Sequence, residues 1–91
     1  MEVKTTDATD QITADRCNRQ LSCANIGKGR MWKDRYGCVV DMDKRTHDLV
    51  GPTCGAVDAT RLATCLHDIR DQTCEASGEY PASCQGVRLC R

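Results

Sequence analysis

Ten residues of this 91-residue chain have side chains suited to chemistry: eight cysteines and two histidines. The cysteines are Cys17, Cys23, Cys38, Cys54, Cys65, Cys74, Cys84 and Cys90, and the histidines are His47 and His67. Structural zinc needs ligand pairs at C-x2–4-C, and the tightest cysteine spacing here is x5. A dithiol redox site needs C-x-x-C and covalent haem needs C-x-x-C-H; neither occurs. An even number of cysteines spread along a short chain reads instead as four disulfides. Either histidine could act as a general base, but no serine-centred elbow flanks them and the cysteines are committed to bridges. No catalytic residue, metal ligand or cofactor site is assigned.

Two further motifs fail on inspection. DMDKRTHD, residues 41–48, offers Asp41 and Asp43 at the first and third positions of a calcium loop. Arg45 then takes the fifth position, Thr46 the place of the required glycine, and Pro52 that of the closing acid. GKGR, residues 27–30, lacks the spacer and the Ser/Thr of a phosphate loop. That loop nevertheless brings basic and aromatic residues together: Lys28, Arg30, Trp32, Lys33, Arg35 and Tyr36. Two readings stand. These residues form a contact patch for an acidic or aromatic partner, or Trp32 plugs the end of a small core.

The elements that must position these residues have little apolar material. Leu, Ile and Val number 14 and Phe is absent; at roughly 15% this lies below the ~20% at which chains begin to look unable to fold. Burial on that scale does not offset a chain entropy of ~1–2 kcal/mol per residue. Four bridges at ~2–4 kcal/mol each would be comparable to the whole net stability of a small domain. Disulfides require an oxidising compartment, so we expect a secreted, periplasmic or outer-membrane-anchored parent whose export signal lies outside these residues. With 13 basic and 13 acidic residues the net charge is zero, which argues against nucleic acid as a partner. No apolar run reaches membrane-spanning length.

The expected fold is all-α: a disulfide-rich bundle of three main helices and a short C-terminal helix. Residues 1–8 read as a flexible segment and 9–91 as one domain. The first helix is expected over about 9–25, capped by Thr9 or Asp10, with Ala14, Cys17, Leu21 and Ala24 on its buried face and Asn25 and Gly27 as stop signals. The second is expected over about 33–48, with Tyr36, Val39, Val40 and Asp43 on one side, Cys38 and Met42 neighbours at spacing four, and close packing at Gly37. The third follows an Asp58 cap and buries Leu62, Cys65, Leu66 and Ile69. Pro81 starts the short fourth helix through Cys84, and Val87 and Leu89 return to the core. Eight cysteines allow 105 pairings; Cys23–Cys38 across a helical hairpin and Cys17–Cys65 between core stripes are the two with a physical basis.

ADRCNRQLSCANIGKGR, TRLATCLHDIRDQTC and ASCQGVRLC, in that order, resemble a family of small cysteine-rich bacterial lipoproteins associated by name with natural-product biosynthesis, whose domain has no known function. The resemblance spans roughly residues 12–91. It implies export and, in full-length relatives, an N-terminal lipidated cysteine; it transfers no catalytic residue. Eight-cysteine lipid-transfer proteins differ, since they carry Cys-Cys and Cys-x-Cys pairs that this chain lacks. The sequence is therefore read as a non-enzymatic exported module that binds a protein or small molecule. The alternatives are a small enzyme or accessory factor acting on a natural product through His47 or His67, and a purely structural envelope component.

Overall fold

The computed structural model describes residues 1–91. Helices dominate: α1 (Thr5–Ser22), α2 (Arg35–Val50), α3 (Ala59–Arg70) and a four-residue α4 (Gly86–Leu89), the last preceded by a 3-10 turn at Ala82–Cys84. The fold is not purely α. Two short strands, β1 (Glu2–Val3) and β2 (Val57–Asp58), pair antiparallel, Glu2 opposite Asp58 and Val3 opposite Val57. Residues 2–3, expected as part of a flexible lead, are thus zipped to the start of α3, and Ala59 N donates to the Met1 carbonyl at 3.0 Å.

Helix α1 begins four residues earlier than expected. Lys4 takes the N-cap position in extended conformation without a side-chain cap, and Thr5 Oγ1 donates to the Cys54 carbonyl at 2.9 Å. The helix ends in a Schellman motif: Asn25 N bonds the Gln20 carbonyl and Ala24 N the Leu21 carbonyl. The left-handed residue this motif needs is Ala24, at φ 61°, rather than either of the expected stop signals. Helix α2 is capped by Asp34, whose Oδ1 accepts from Gly37 N at 2.8 Å. Gly37 therefore completes a cap, and the close packing expected of it occurs at Gly86, where a Cβ would overlap the Val50 carbonyl. Helix α3 is capped by Asp58, which accepts from Arg61 N at 3.0 Å.

The domain is elongated, 40 × 22 × 16 Å, and its interior divides in two. The larger cluster joins Ala8, Ile12, Val50, Val57, Leu62, Cys65, Leu66, Ile69, Cys84 and Leu89. The smaller holds only Cys17, Trp32, Cys38 and Met42. The α3 stripe is buried as expected. Of the α1 stripe only Cys17 is buried as expected: Leu21 and Ala24 are exposed, Ala14 is half-buried, and the buried face runs Ala8, Thr9, Ile12, Thr13, Arg16, Cys17 and Gln20. On α2 the buried residues are Cys38, Met42, Thr46 and Val50, while Tyr36 and Val40 face solvent. Leu89 is buried, but Val87 is 83% exposed.

All eight cysteines pair, as Cys17–Cys38, Cys23–Cys74, Cys54–Cys90 and Cys65–Cys84. Both expected pairings are corrected. Helices α1 and α2 run antiparallel, with Thr13 reaching Thr46 and Arg16 reaching Met42, and this register sets Cys17 opposite Cys38. Cys23, at the end of α1, is left for Cys74 on the segment after α3. Cys65 meets Cys84 on the returning tail. The C-terminus is held by Cys90, a bridge from Val57 to Cys90, and Arg91 N on the Ala56 carbonyl.

Candidate functional site

The 25–36 segment carries the one concentration of basic and aromatic residues. It closes on itself: Trp32 N donates to the Asn25 carbonyl, Gly27 N to the Trp32 carbonyl, and Arg30 N to the Gly27 carbonyl. Gly27 and Gly29 supply the positive φ angles, 143° and 78°, that the tight path requires. This backbone turns the Trp32 indole inward. It is 8% exposed, packs with Cys17, Cys38 and Met42, and donates through Nε1 to Asp41 Oδ2 at 3.1 Å. Asp41 in turn pairs with Arg45 at 3.2 Å. Trp32 is thus the plug of the small core, and the pinned loop offers other side chains to solvent. Met31 is 72% and Tyr36 77% exposed. Lys28, Arg30, Lys33 and Arg35 flank them in sequence and are all exposed, with Arg35 donating to Asn18 Oδ1 at 2.8 Å. Sequence reasoning missed Met31, although it lies directly beside Trp32 in the same basic stretch.

Beneath the loop lies a cleft of about 410 Å³ lined by Gln20, Asn25, Met31, Trp32, Met42 and Arg45 together with the 74–78 segment. That segment is strapped down by buried polar side chains of α1. Gln20 Nε2 donates to the Ser77 carbonyl at 2.7 Å, and Gln20 Oε1 accepts from Asn25 Nδ2 at 2.7 Å. Arg16, 1% exposed, donates to the Glu79 carbonyl at 2.6 Å and lies 3.9 Å from the Tyr80 ring centroid. It forms no ion pair. Burial pulls the Arg16 guanidinium below its ordinary pKa, Tyr80 opposes this and Arg45 adds to it. The Tyr80 hydroxyl closes the network at Thr46 Oγ1, 2.8 Å away.

The family model for a family of unknown function (DUF6184) matches residues 17–91. The chain belongs to this family. The match begins at Cys17, so it takes in all eight cysteines and the whole 25–36 segment; the family's description carries no function and no lipoprotein or biosynthetic label. No curated protein matches the chain, and no solved structure matches it.

The remaining chemistry-bearing residues of this family member are dispersed. His47 is exposed on α2 with Nε2 3.6 Å from Asp43 Oδ1, one turn earlier, and His67 is exposed on α3. Neither histidine lines any of the larger clefts. Asp41 and Asp43 are engaged by Trp32 and Arg45 and by His47 respectively. No helix is long and apolar enough to cross a membrane. Four disulfides suit an oxidising, extracellular-type environment.

Proposed function

We propose that this chain is an exported, disulfide-stapled binding module that engages an acidic partner through the face formed by residues 28–36. The observation that carries this reading is the division of labour in the loop: Trp32 is buried as an anchor while Met31 and Tyr36 stand out among Lys28, Arg30, Lys33 and Arg35. Tyrosine, methionine and arginine are the residue types enriched where proteins meet. A loop already fixed by its own hydrogen bonds and a buried indole loses little entropy on contact. The chain is neutral overall, so this cationic cluster is a local feature and would steer an anionic partner to this face.

Export is the compartment that the four bridges support. From the sequence resemblance we further infer a lipid-anchored, envelope-bound parent acting as an accessory protein in natural-product biosynthesis. The test of the contact face uses a synthetic peptide of glutamates flanking one tryptophan, with a glutamine version as control. Titration against the isotope-labelled protein should perturb amides 28–36 in a saturable way, more weakly as salt rises. Tyr36→Ser or the pair Lys33→Glu and Arg35→Glu should abolish the effect. Saturable perturbation centred elsewhere, or equal response to both peptides, would refute it.

A further inference from the structure

A second cleft, of about 370 Å³, lies between α3 and the tail and is lined by Arg61, Thr64, Ser83, Val87 and Arg88. Its two arginines come from elements far apart in sequence, and neither has a carboxylate within ion-pairing distance. Arg45, Arg70 and Arg91 each have one. Two guanidinium groups on one cleft repel each other, and this fold gives them no freedom to separate their backbones. Cys65–Cys84 joins α3 to the segment that precedes Arg88. Ser83 Oγ donates to Asp68 Oδ2 at 2.6 Å, and Gly86 is seated against the Val50 carbonyl.

The hydrogen-bonding capacity of the lining is one-sided. The Ser83 proton goes to Asp68, and Thr64 Oγ1 donates back to the Thr60 carbonyl at 3.3 Å. The donors left for a ligand are guanidinium N–H groups, whose planar forks match the oxygens of a phosphate or sulfate. Val87, 83% exposed, adds an apolar wall. We propose that this cleft is an anion site for a phosphate or sulfate ester carried on a small apolar body, with Arg61 and Arg88 clamping the oxyanion and Val87 touching the body. The site shares no residue with the 28–36 face and stands independently of the function proposed for it.

The test is a titration of the intact oxidised protein at fixed ionic strength, following the Nε resonances of its arginines. Phenyl phosphate is the soluble probe. Phosphatidylcholine vesicles with and without phosphatidic acid test the same headgroup chemistry on a lipid. Phenyl phosphate should shift the Arg61 and Arg88 signals together and saturably in the millimolar range. Arg61→Gln and Arg88→Gln should each weaken binding about tenfold or more, the loss of one charge-assisted clamp. Arg45→Gln should leave it unchanged. Vesicle binding that needs both arginines, with no response to phenyl phosphate, would assign the site to a lipid phosphate. Shifts that grow linearly and spread over all arginines, with no arginine-dependent vesicle binding, would overturn the proposal. Both side chains are exposed, so the variants should keep the parent melting temperature, and the wild-type titration decides the matter without them.

Discussion

The two halves of the interior are built by different physics. Around α3, Ile12, Val50, Leu62, Leu66, Ile69 and Leu89 meet in an ordinary apolar core. Around the second half of α1, the buried positions are Thr13, Arg16, Gln20, Thr46 and Ser77, and cohesion comes from hydrogen bonds to carbonyls, from the Arg16–Tyr80 stack and from Cys17–Cys38. The first half gains by removing carbon from water, at roughly 25 cal/mol per Å². The second half mostly avoids a loss, because each polar group it buries must find a partner or carry its desolvation cost. A chain with 14 aliphatic residues completes one core and stitches the remainder with side-chain-to-backbone bonds and sulfur. The contact loop sits on the stitched half, where Trp32 is the one large aromatic group in the interior.

The contrast can be broken or sharpened by substitution. Ile69→Ala in the apolar half should cost about 3–5 kcal/mol of unfolding free energy, since it leaves a cavity at a fully buried position of the larger core. Chemical denaturation measures it, and a cost below about 1 kcal/mol would mean that the apolar half is not the stable one. Arg16→Ala in the polar half should cost about 2–4 kcal/mol through lost packing on Tyr80 and loss of its bond to the Glu79 carbonyl, which keeps only Gln72 Nε2 as a partner. Arg16→Lys should recover little of that, because an ammonium reproduces neither the planar stack on Tyr80 nor the reach of two guanidinium nitrogens. Hydrogen exchange should then show residues 76–80 loosened and α3 still protected. Equal loosening of both halves would contradict their division.

Smaller effects probe the boundaries. Ala24→Gly should stabilise by roughly 0.5–1 kcal/mol, since only the alanine is strained at φ 61°; a loss of stability in the thermal melt would rule out a Schellman ending for α1. Asp58 sets a pH dependence. Its hydrogen bond from Arg61 N holds the carboxyl below its ordinary pKa, against an opposing effect of desolvation, with the charges of Arg61, the N-terminal ammonium and Arg91 also lowering it. A depressed carboxylate stabilises the fold fully above its unfolded value of ~3.9 and loses that contribution as pH falls through the lower folded value. Wild type should therefore melt above Asp58→Ala at neutral pH, and the two should converge as pH falls through the lowered folded-state value. A gap that persists unchanged in acid would show that the cap's charge is irrelevant.

What could be read from the sequence follows the same division. The buried face of helix α3 was legible to the residue, because Leu62, Cys65, Leu66 and Ile69 repeat at helical spacing behind an Asp58 cap. Helix α1 was misread on its buried face, because apolar periodicity cannot register Thr13, Arg16 or Gln20, whose partners are carbonyls more than fifty residues away or a hydroxyl on α2. Pairing β1 with β2 depends on a meeting of residues 2–3 with 57–58 that neither two-residue piece announces. The disulfide partners depend on helix register, and Cys17 against Cys38 follows only once Thr13 is known to face Thr46. In the loop, composition located the basic cluster, but not the backbone bonds that put Trp32 inside and Met31 outside.

Reduction tests the central claim directly. A two-part interior this lean should not persist without its four covalent links, whose removal releases ~2–4 kcal/mol each. Treatment of the native protein with a phosphine reductant and alkylation of all eight thiols should erase most of the far-ultraviolet helical signal and the cooperative melt. A fully alkylated chain that retains both would show that packing and hydrogen bonds alone suffice, and that the bridges are not what holds this fold together.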